Sequence, residues 1–229
     1  MNDQDYSEPN SSLSSEVYEE LKRRLNSGAL TPGKFLDLTA LGRELGMSRT
    51  PLRDALIRLE LEGFIVVYPR RGVMVKNLTL ADIRDIYQII GALEASVIEL
   101  MALRFRASDV DRMDEFRAAM SAALDASDFN AYYKANLAFH NVYLDLSDNV
   151  DLVRNVRTLK ERLYDFPRRS SYVKEWERDS MVEHAELCAL LRSHDFRAAA
   201  AYIRDVHWSF EVQERYIRAY YFPTEGSRR

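Results

Sequence analysis

A single cysteine, Cys188, stands among 229 residues, which excludes an internal disulfide and suits a reducing compartment. No apolar run approaches the roughly 20 residues that span a bilayer, so a membrane-embedded chain is not expected. The opening MNDQDYSEPNSS lacks both the basic and the apolar regions of a signal peptide, and the chain is expected to be cytoplasmic. Short-period repeats, low-complexity tracts and the HExxH pattern of zinc proteases are all absent. What is present is ordinary apolar content, 47% over this length, enough for a real core in one large or two smaller domains.

Basic residues are missing from residues 1–20, which carry six acids. Residues 21–77 reverse this, with eleven Lys and Arg against five Asp and Glu, or +6, whereas residues 78–229 hold 21 bases and 25 acids, or −4. The total of −4 therefore hides one segment with the footprint of a nucleic-acid binder. By charge alone that segment reads equally well as a solvated surface.

The fold class expected is mainly α, in two domains. Residues 1–13, polar and rich in Ser, Asn and acid, are expected to be a disordered tail. A helix is predicted from Ser14 or Ser15, with Val17, Leu21 and Leu25 on its apolar face and Gly28 ending it. Thr39 is the expected cap of a short second helix that stops at Gly46. Ser48 caps a third in MSRTPLRDALIRLELEGF, where Pro51 falls in the first turn and its missing N–H costs nothing. Leu52, Ala55, Leu56 and Leu59 share one face of that helix, ending at Gly63, and Arg49, Thr50 and Arg53 project elsewhere. FIVVYPRRGVMV then reads as two β-branched strands around a basic turn. Helix, helix, short turn, helix, hairpin is the order of a winged helix-turn-helix, spanning 14–77.

In such a unit the start of the second helix of the pair reaches base edges in the major groove. Arg49 and Arg53 are placed to pair bidentately with guanine, Thr50 to meet phosphate or a thymine methyl, and the helix N-terminus at Ser48 to favour a phosphate. Arg70 and Arg71 at the hairpin tip reach the adjacent backbone or minor groove. After Thr79 strand signals vanish and helix starts recur at TLAD (79), SDVD (108), SDF (127), DNV (148), RDS (178) and HDF (194). An all-helical bundle of about six helices is expected over 78–229.

All four histidines lie in that second domain. Asn136 and His140 are spaced i, i+4 on one predicted helix, and His184 and His207 fall on the next two. Imidazole suits zinc, nickel and similar divalent ions, and an Asn carbonyl supplies a further oxygen. By spacing alone these histidines read as ordinary buried or surface side chains sooner than as a metal site.

The stretch LTPGKFLDLTALGRELGMSRTPLRDALIRLELEGFIVVYPRRGVMV resembles the DNA-binding domain of the GntR family of bacterial transcription regulators, whose pattern includes PG, SRTPVREAL, RLE and a wing with RG. Gly42 and Asp54 depart from the usual small residue and Glu without removing a DNA-facing group. The resemblance implies direct DNA contact by Arg49, Thr50 and Arg53, with Gly72 letting the wing approach the backbone. Residues 79–229 are similar to the FCD ligand-sensing domain of the FadR subgroup, and Asn136, His140, Asn149, His184, Asp195 and His207 match its pattern in order. That implies metal ligation by Asn136, His140, His184 and His207, zinc or nickel being the expected ions, with His194 in a solvent-exposed turn. The subgroup commonly has Arg four residues before the Glu of its first sensor helix, and this chain has Ile90 before Glu94. Arg162 in LKERLYDF, on another helix, is the candidate to meet a carboxylate effector instead, and it reads as easily as a surface residue.

The reading that follows is a homodimeric transcription regulator, not an enzyme, that binds a near-palindromic double-stranded operator and changes its grip when a small carboxylate enters the helical domain. The rival is a metal-dependent hydrolase fused to a DNA-targeting module. Such an enzyme needs an open metal site with a general base, and Glu183 beside His184 points about 100° away on a helix.

Overall fold

The computed structural model describes residues 9–164 and 173–222. Helix α1 (Pro9–Asn26) starts earlier than Ser14, so residues 9–13, expected as tail, are helical, and residues 1–8 lie outside the described residues. Val17, Leu21 and Leu25 are buried on its inner face, as their spacing predicts. Helix α2 (Leu38–Leu45) is capped by Asp37 rather than Thr39, its carboxylate accepting from Thr39 N at 3.0 Å and Ala40 N at 2.9 Å. A carboxylate is the stronger acceptor at a helix N-terminus, which explains the two-residue shift. Gly46 ends α2 in the left-handed region, at φ 62°.

Helix α3 (Arg49–Leu61) starts after Ser48 and buries Leu52, Ala55, Leu56 and Leu59. Strands β1 (Ile65–Tyr68) and β2 (Gly72–Val75) pair antiparallel, with Ile65 opposite Val75 and Tyr68 opposite Gly72. Phe35 adds an isolated antiparallel bridge to Met74 on the other side of β2, which the sequence does not advertise. The apolar faces of these elements close on one core that includes Leu21, Leu41, Leu59, Phe64 and Val75.

From Thr79 the chain is helical: α4 (Leu80–Leu100), α5 (Ala107–Asp125), α6 (Phe129–Leu144), α7 (Val150–Tyr164), α8 (Lys174–Arg192), α9 (Phe196–Tyr202) and α10 (Phe210–Tyr221). Five residues of π-helix, Ile203–His207, follow α9 directly. Thr79 and Asp82 form the expected capping box, and Asp128, Asn149 and Asp195 hold the next starts where the sequence places them. The start read at Ser108 is two residues late, because Asp109 accepts the Arg106 N–H at 2.8 Å. RDS at 178 lies inside α8, which begins at Lys174. Seven α-helices therefore stand among the described residues where six were expected, the addition being α10 behind Ser209.

The chain divides after Leu78 into two compact units, and the end of α7 from Glu161 groups with the first. In the second, α5 packs on α6 and α8, and α4 lies against α9, the π segment and α10. Among the described residues no helix is long and apolar enough to cross a membrane.

Candidate functional site

Two surfaces or clusters stand out, one in each unit. In the first unit Ser48, Arg49, Thr50, Arg53, Arg70, Arg71 and Gly72 are all exposed. The buried leucines of α3 fix that helix, so Arg49 and Arg53 project from its opposite side one turn apart. Ser48 has extended backbone and makes no side-chain cap, which leaves its hydroxyl uncommitted at the helix start. At the wing tip Arg71 N donates to Tyr68 O at 3.0 Å, closing a turn in which Pro69 is followed by Arg70 at φ 63°. A positive φ at that third position is normally filled by Gly or Asn. Between α2, α3 and the wing lies a cavity of about 850 Å³, where Thr39 and Arg43 join Arg49 and Arg53 around Ile57 and Val67. Arg43, and Thr39 beyond its expected place as a helix cap, are members of this face that the sequence pattern did not single out.

In the second unit α6, α8 and the π segment bring His140, His184 and His207 together. One ring nitrogen from each lies within 4.8 Å of the others, and ring centroids are 5.0–5.3 Å apart. Asn136, one turn before His140 on α6, is buried with them at 7% exposure. His194 is exposed in the turn before α9. Asn149 and Asp195, matched in the family pattern, are helix caps: Leu152 N donates to Asn149 at 3.0 Å and Ala198 N to Asp195 at 2.9 Å.

The π segment is what delivers His207. Trp208 N donates to Ile203 O at 2.9 Å, the i to i+5 bond of a widened turn. Two consecutive side chains, His207 and Trp208, are thereby both buried. Gly91 on α4 gives this turn its room, because a Cβ there would stand 3.0 Å from Trp208 Cβ and 3.4 Å from the backbone of Arg204.

Carboxylates behind the rings set the tautomers. Tyr143 gives its one hydroxyl proton to Glu94 Oε2, and its oxygen lies 2.6 Å from His140 Nδ1, which itself lies 3.2 Å from Glu94 Oε2. Both neighbours of Nδ1 are therefore acceptors, so Nδ1 carries the proton and Nε2 keeps its lone pair. His207 Nδ1 likewise donates to Glu183 Oε2 at 2.7 Å, and Glu183 Oε1 accepts from Gln213 at 2.8 Å. Neither His140 Nε2 nor either nitrogen of His184 has a hydrogen-bond partner among the described residues, although both rings are at least 99% buried.

Glu94 is fully buried and is met by Lys160, also buried, as well as by Trp208 Nε1 at 2.9 Å. Burial would raise the Glu94 carboxyl, but the Lys160 ammonium, with His140, holds it below the usual range. Burial, followed by the charge of Lys160, pulls His140 down to about 3. Burial, followed by the neighbouring His207 and His140, pulls His184 well below its ordinary value. His140 and His184 are consequently neutral at pH 7, with lone pairs available. Lys160 was missed by sequence reasoning, which named Glu94 only as a mark in the family pattern and looked for a cation at Arg162; that residue falls in the first unit.

Three buried imidazoles, two of them with unpartnered nitrogens and two backed by carboxylates, fit a divalent transition ion. The same arrangement does not suit hydrolysis. Glu183 is held by His207 and Gln213, and Glu94 by its several donors, so neither is free to act as a base at the triad.

Comparison with known proteins agrees with both halves. Residues 85–207 match the FCD domain, and residues 13–75 match the family described as bacterial regulatory proteins, gntR family. The uncharacterized HTH-type transcriptional regulator YdhC of Bacillus subtilis is 24% identical over 193 residues, 82% of this chain and 84% of that protein. The HTH-type transcriptional regulator McbR of Escherichia coli is 30% identical over 128 residues, 56% of this chain and 58% of McbR. Among solved structures, Escherichia coli McbR/YncC superposes with a TM-score of 0.67 at 24% identity, covering 90% of this chain and 95% of that one. A putative GntR regulator from Rhodococcus sp. RHA1 gives 0.68 at 19% identity, covering 91% and 99%. The chain is a transcription regulator, not an enzyme, and belongs to the GntR family with an FCD domain.

Proposed function

We propose that this regulator is a cytoplasmic homodimer that reads a near-palindromic operator and whose grip is set by a small carboxylate bound at a metal in the FCD domain. Arg49 and Arg53 read guanines in the major groove, Thr50 meets phosphate or a thymine methyl, and Ser48 with the start of α3 receives a phosphate. Arg70 and Arg71 follow the backbone beside the wing, where Gly72 permits close approach. Two copies read two half-sites, which matches operator symmetry to protein symmetry.

The observation that carries the ligand-responsive part is the pair of neutral buried rings, His140 and His184: His140 Nε2 and both nitrogens of His184 meet no hydrogen-bond partner among the described residues. Buried nitrogens left bare are costly, and an ion repays that cost. His140, His184 and His207 would hold zinc or nickel with Asn136 as a further ligand. A divalent ion there supplies a Lewis-acidic position for a carboxylate oxygen. Asn136 brings no charge to that site, which leaves more positive charge for an anionic effector to meet.

The test has two arms. In gel-shift titration against an operator selected from random-sequence DNA, Arg49→Ala and Arg53→Ala should each cost roughly 1–3 kcal/mol of specific binding. Unchanged affinity in both would remove the recognition assignment. Elemental analysis of protein loaded with zinc or nickel should find one ion per chain, abolished in His140→Ala/His184→Ala. No bound ion in the wild type would recast the histidines as the polar lining of an organic-ligand pocket.

A further inference from the structure

Glu94 gathers donors from three directions. Lys160 of α7 occupies Oε1; Tyr143, Trp208 and His140 share Oε2. Lys160 is 3% exposed and its ammonium also lies 5.3 Å from the centre of the Trp208 ring. A buried ion pair of this kind adds little to stability over well-packed apolar groups of the same volume. Helix α7 brings no imidazole to the triad, yet it buries a lysine against the one carboxylate that backs His140.

We propose that Lys160 is a positioning residue for the triad: by holding Oε1 of Glu94 it turns Oε2 to His140 and so aims the Nε2 lone pair of His140 at His184 and His207. This rests on reading the triad as a metal site. The reasoning is one of directions. An ammonium only donates, so it always claims an oxygen of residue 94. With a carboxylate there, a second oxygen remains for His140, Tyr143 and Trp208, and Nδ1 of His140 must be the donor. Outer partners of this kind typically change metal affinity by about 10–100-fold when removed.

The same reasoning makes an inverted prediction that a merely structural lysine does not. In Glu94→Gln the charged ammonium claims the single amide oxygen and turns the NH₂ toward His140, so that the Trp208 N–H loses its acceptor. The Tyr143 oxygen then accepts from that NH₂ and turns its own hydroxyl proton to Nδ1, so Nδ1 accepts and the ring proton sits on Nε2, facing the triad. Removing the lysine as well, in Glu94→Gln/Lys160→Met, frees the amide oxygen to face His140 again. Deleting a cation thus restores the site that the amide spoiled.

The experiment uses the full chain, made metal-free with a chelator and labelled with ¹⁵N, with the His140 signals assigned through His140→Ala. Two-bond ¹⁵N–¹H correlation spectra report which ring nitrogen carries the proton. We expect Nδ1–H in the wild type, Nε2–H in Glu94→Gln, and Nδ1–H again in the double variant. Zinc affinity, measured by competition with a fluorescent chelator, should fall about tenfold or more in Glu94→Gln and recover in the double variant. If Glu94→Gln and the double variant share one tautomer and one zinc affinity, Lys160 does not position His140 and the proposal is overturned. Should the wild type take up no zinc, the metal reading falls, while the tautomers of the metal-free proteins still decide the role of Lys160.

Discussion

Arg70 holds a conformation that an arginine adopts only at a cost. At φ 63° it pays for the left-handed region with roughly 1–2 kcal/mol, at the tip of the wing where a phosphate contact is proposed. Arg70→Asn, which tolerates that region, should raise stability by roughly 1 kcal/mol in urea unfolding while weakening DNA binding. The slope of log affinity against log salt should shrink by about one, as for a lost phosphate contact. A variant with wild-type affinity and salt slope would separate the strain from DNA binding. A second residue couples burial to pH. Burial pushes the half-buried Glu177 carboxyl up to about 7 from 4.5, against a hydrogen bond from Tyr132 that lowers it. The folded state therefore keeps a proton that the unfolded chain releases, and this contribution to stability is present below pH 4.5 and lost as pH rises to about 7. Discounted for partial exposure, the loss is about 1–2 kcal/mol. Glu177→Gln should remove that loss, which unfolding curves of both proteins at pH 5 and pH 8 would register; parallel pH dependence would refute it.

The π segment after α9 is the element on which the triad's geometry turns, and its packing partner is Gly91. Two effects of Gly91→Ala oppose each other. A helical alanine in place of glycine favours α4 by about 1 kcal/mol. The added methyl, 3.0 Å from Trp208 Cβ and 3.4 Å from backbone, forces the π turn outward at roughly 1–3 kcal/mol. Net destabilisation is expected, with zinc affinity reduced because His207 moves with Trp208. Net stabilisation at unchanged zinc affinity would mean that the turn yields freely. This element also shows where sequence patterns stop being informative. Helices α3 and α6 were legible because periodic apolar residues and Ser or Asp caps announce them. The winged unit was legible because its elements follow in chain order. The π turn was not, since a one-residue widening leaves the composition unchanged and depends on a glycine more than a hundred residues earlier. Helix α10 was hidden because Phe210, Gln213, Tyr216 and Tyr220 form a mixed, aromatic face rather than a run of aliphatics. The three histidines could be named from the family pattern, whereas Lys160 could not, because a buried lysine looks like any surface lysine until its carboxylate partner is seen.

For the whole molecule the proposal of a dimer has a direct measure. Sedimentation equilibrium should give twice the 26.6 kDa chain mass, and a monomer that binds a single half-site with full affinity would dissolve the symmetry argument. Whether the two units move when the proposed effector is added is then the mechanical question, and the chain is unusually well suited to answering it. Cys188 is its only thiol; it is 3% exposed, and burial pushes it up to about 12, so it stays protonated and shielded at working pH. A cysteine introduced at the exposed Arg71 on the wing, and another at Val182 on α8, would therefore take maleimide dyes while the native thiol stays dark. Distances between the two units in solution become readable by energy transfer without first removing a native cysteine from the core.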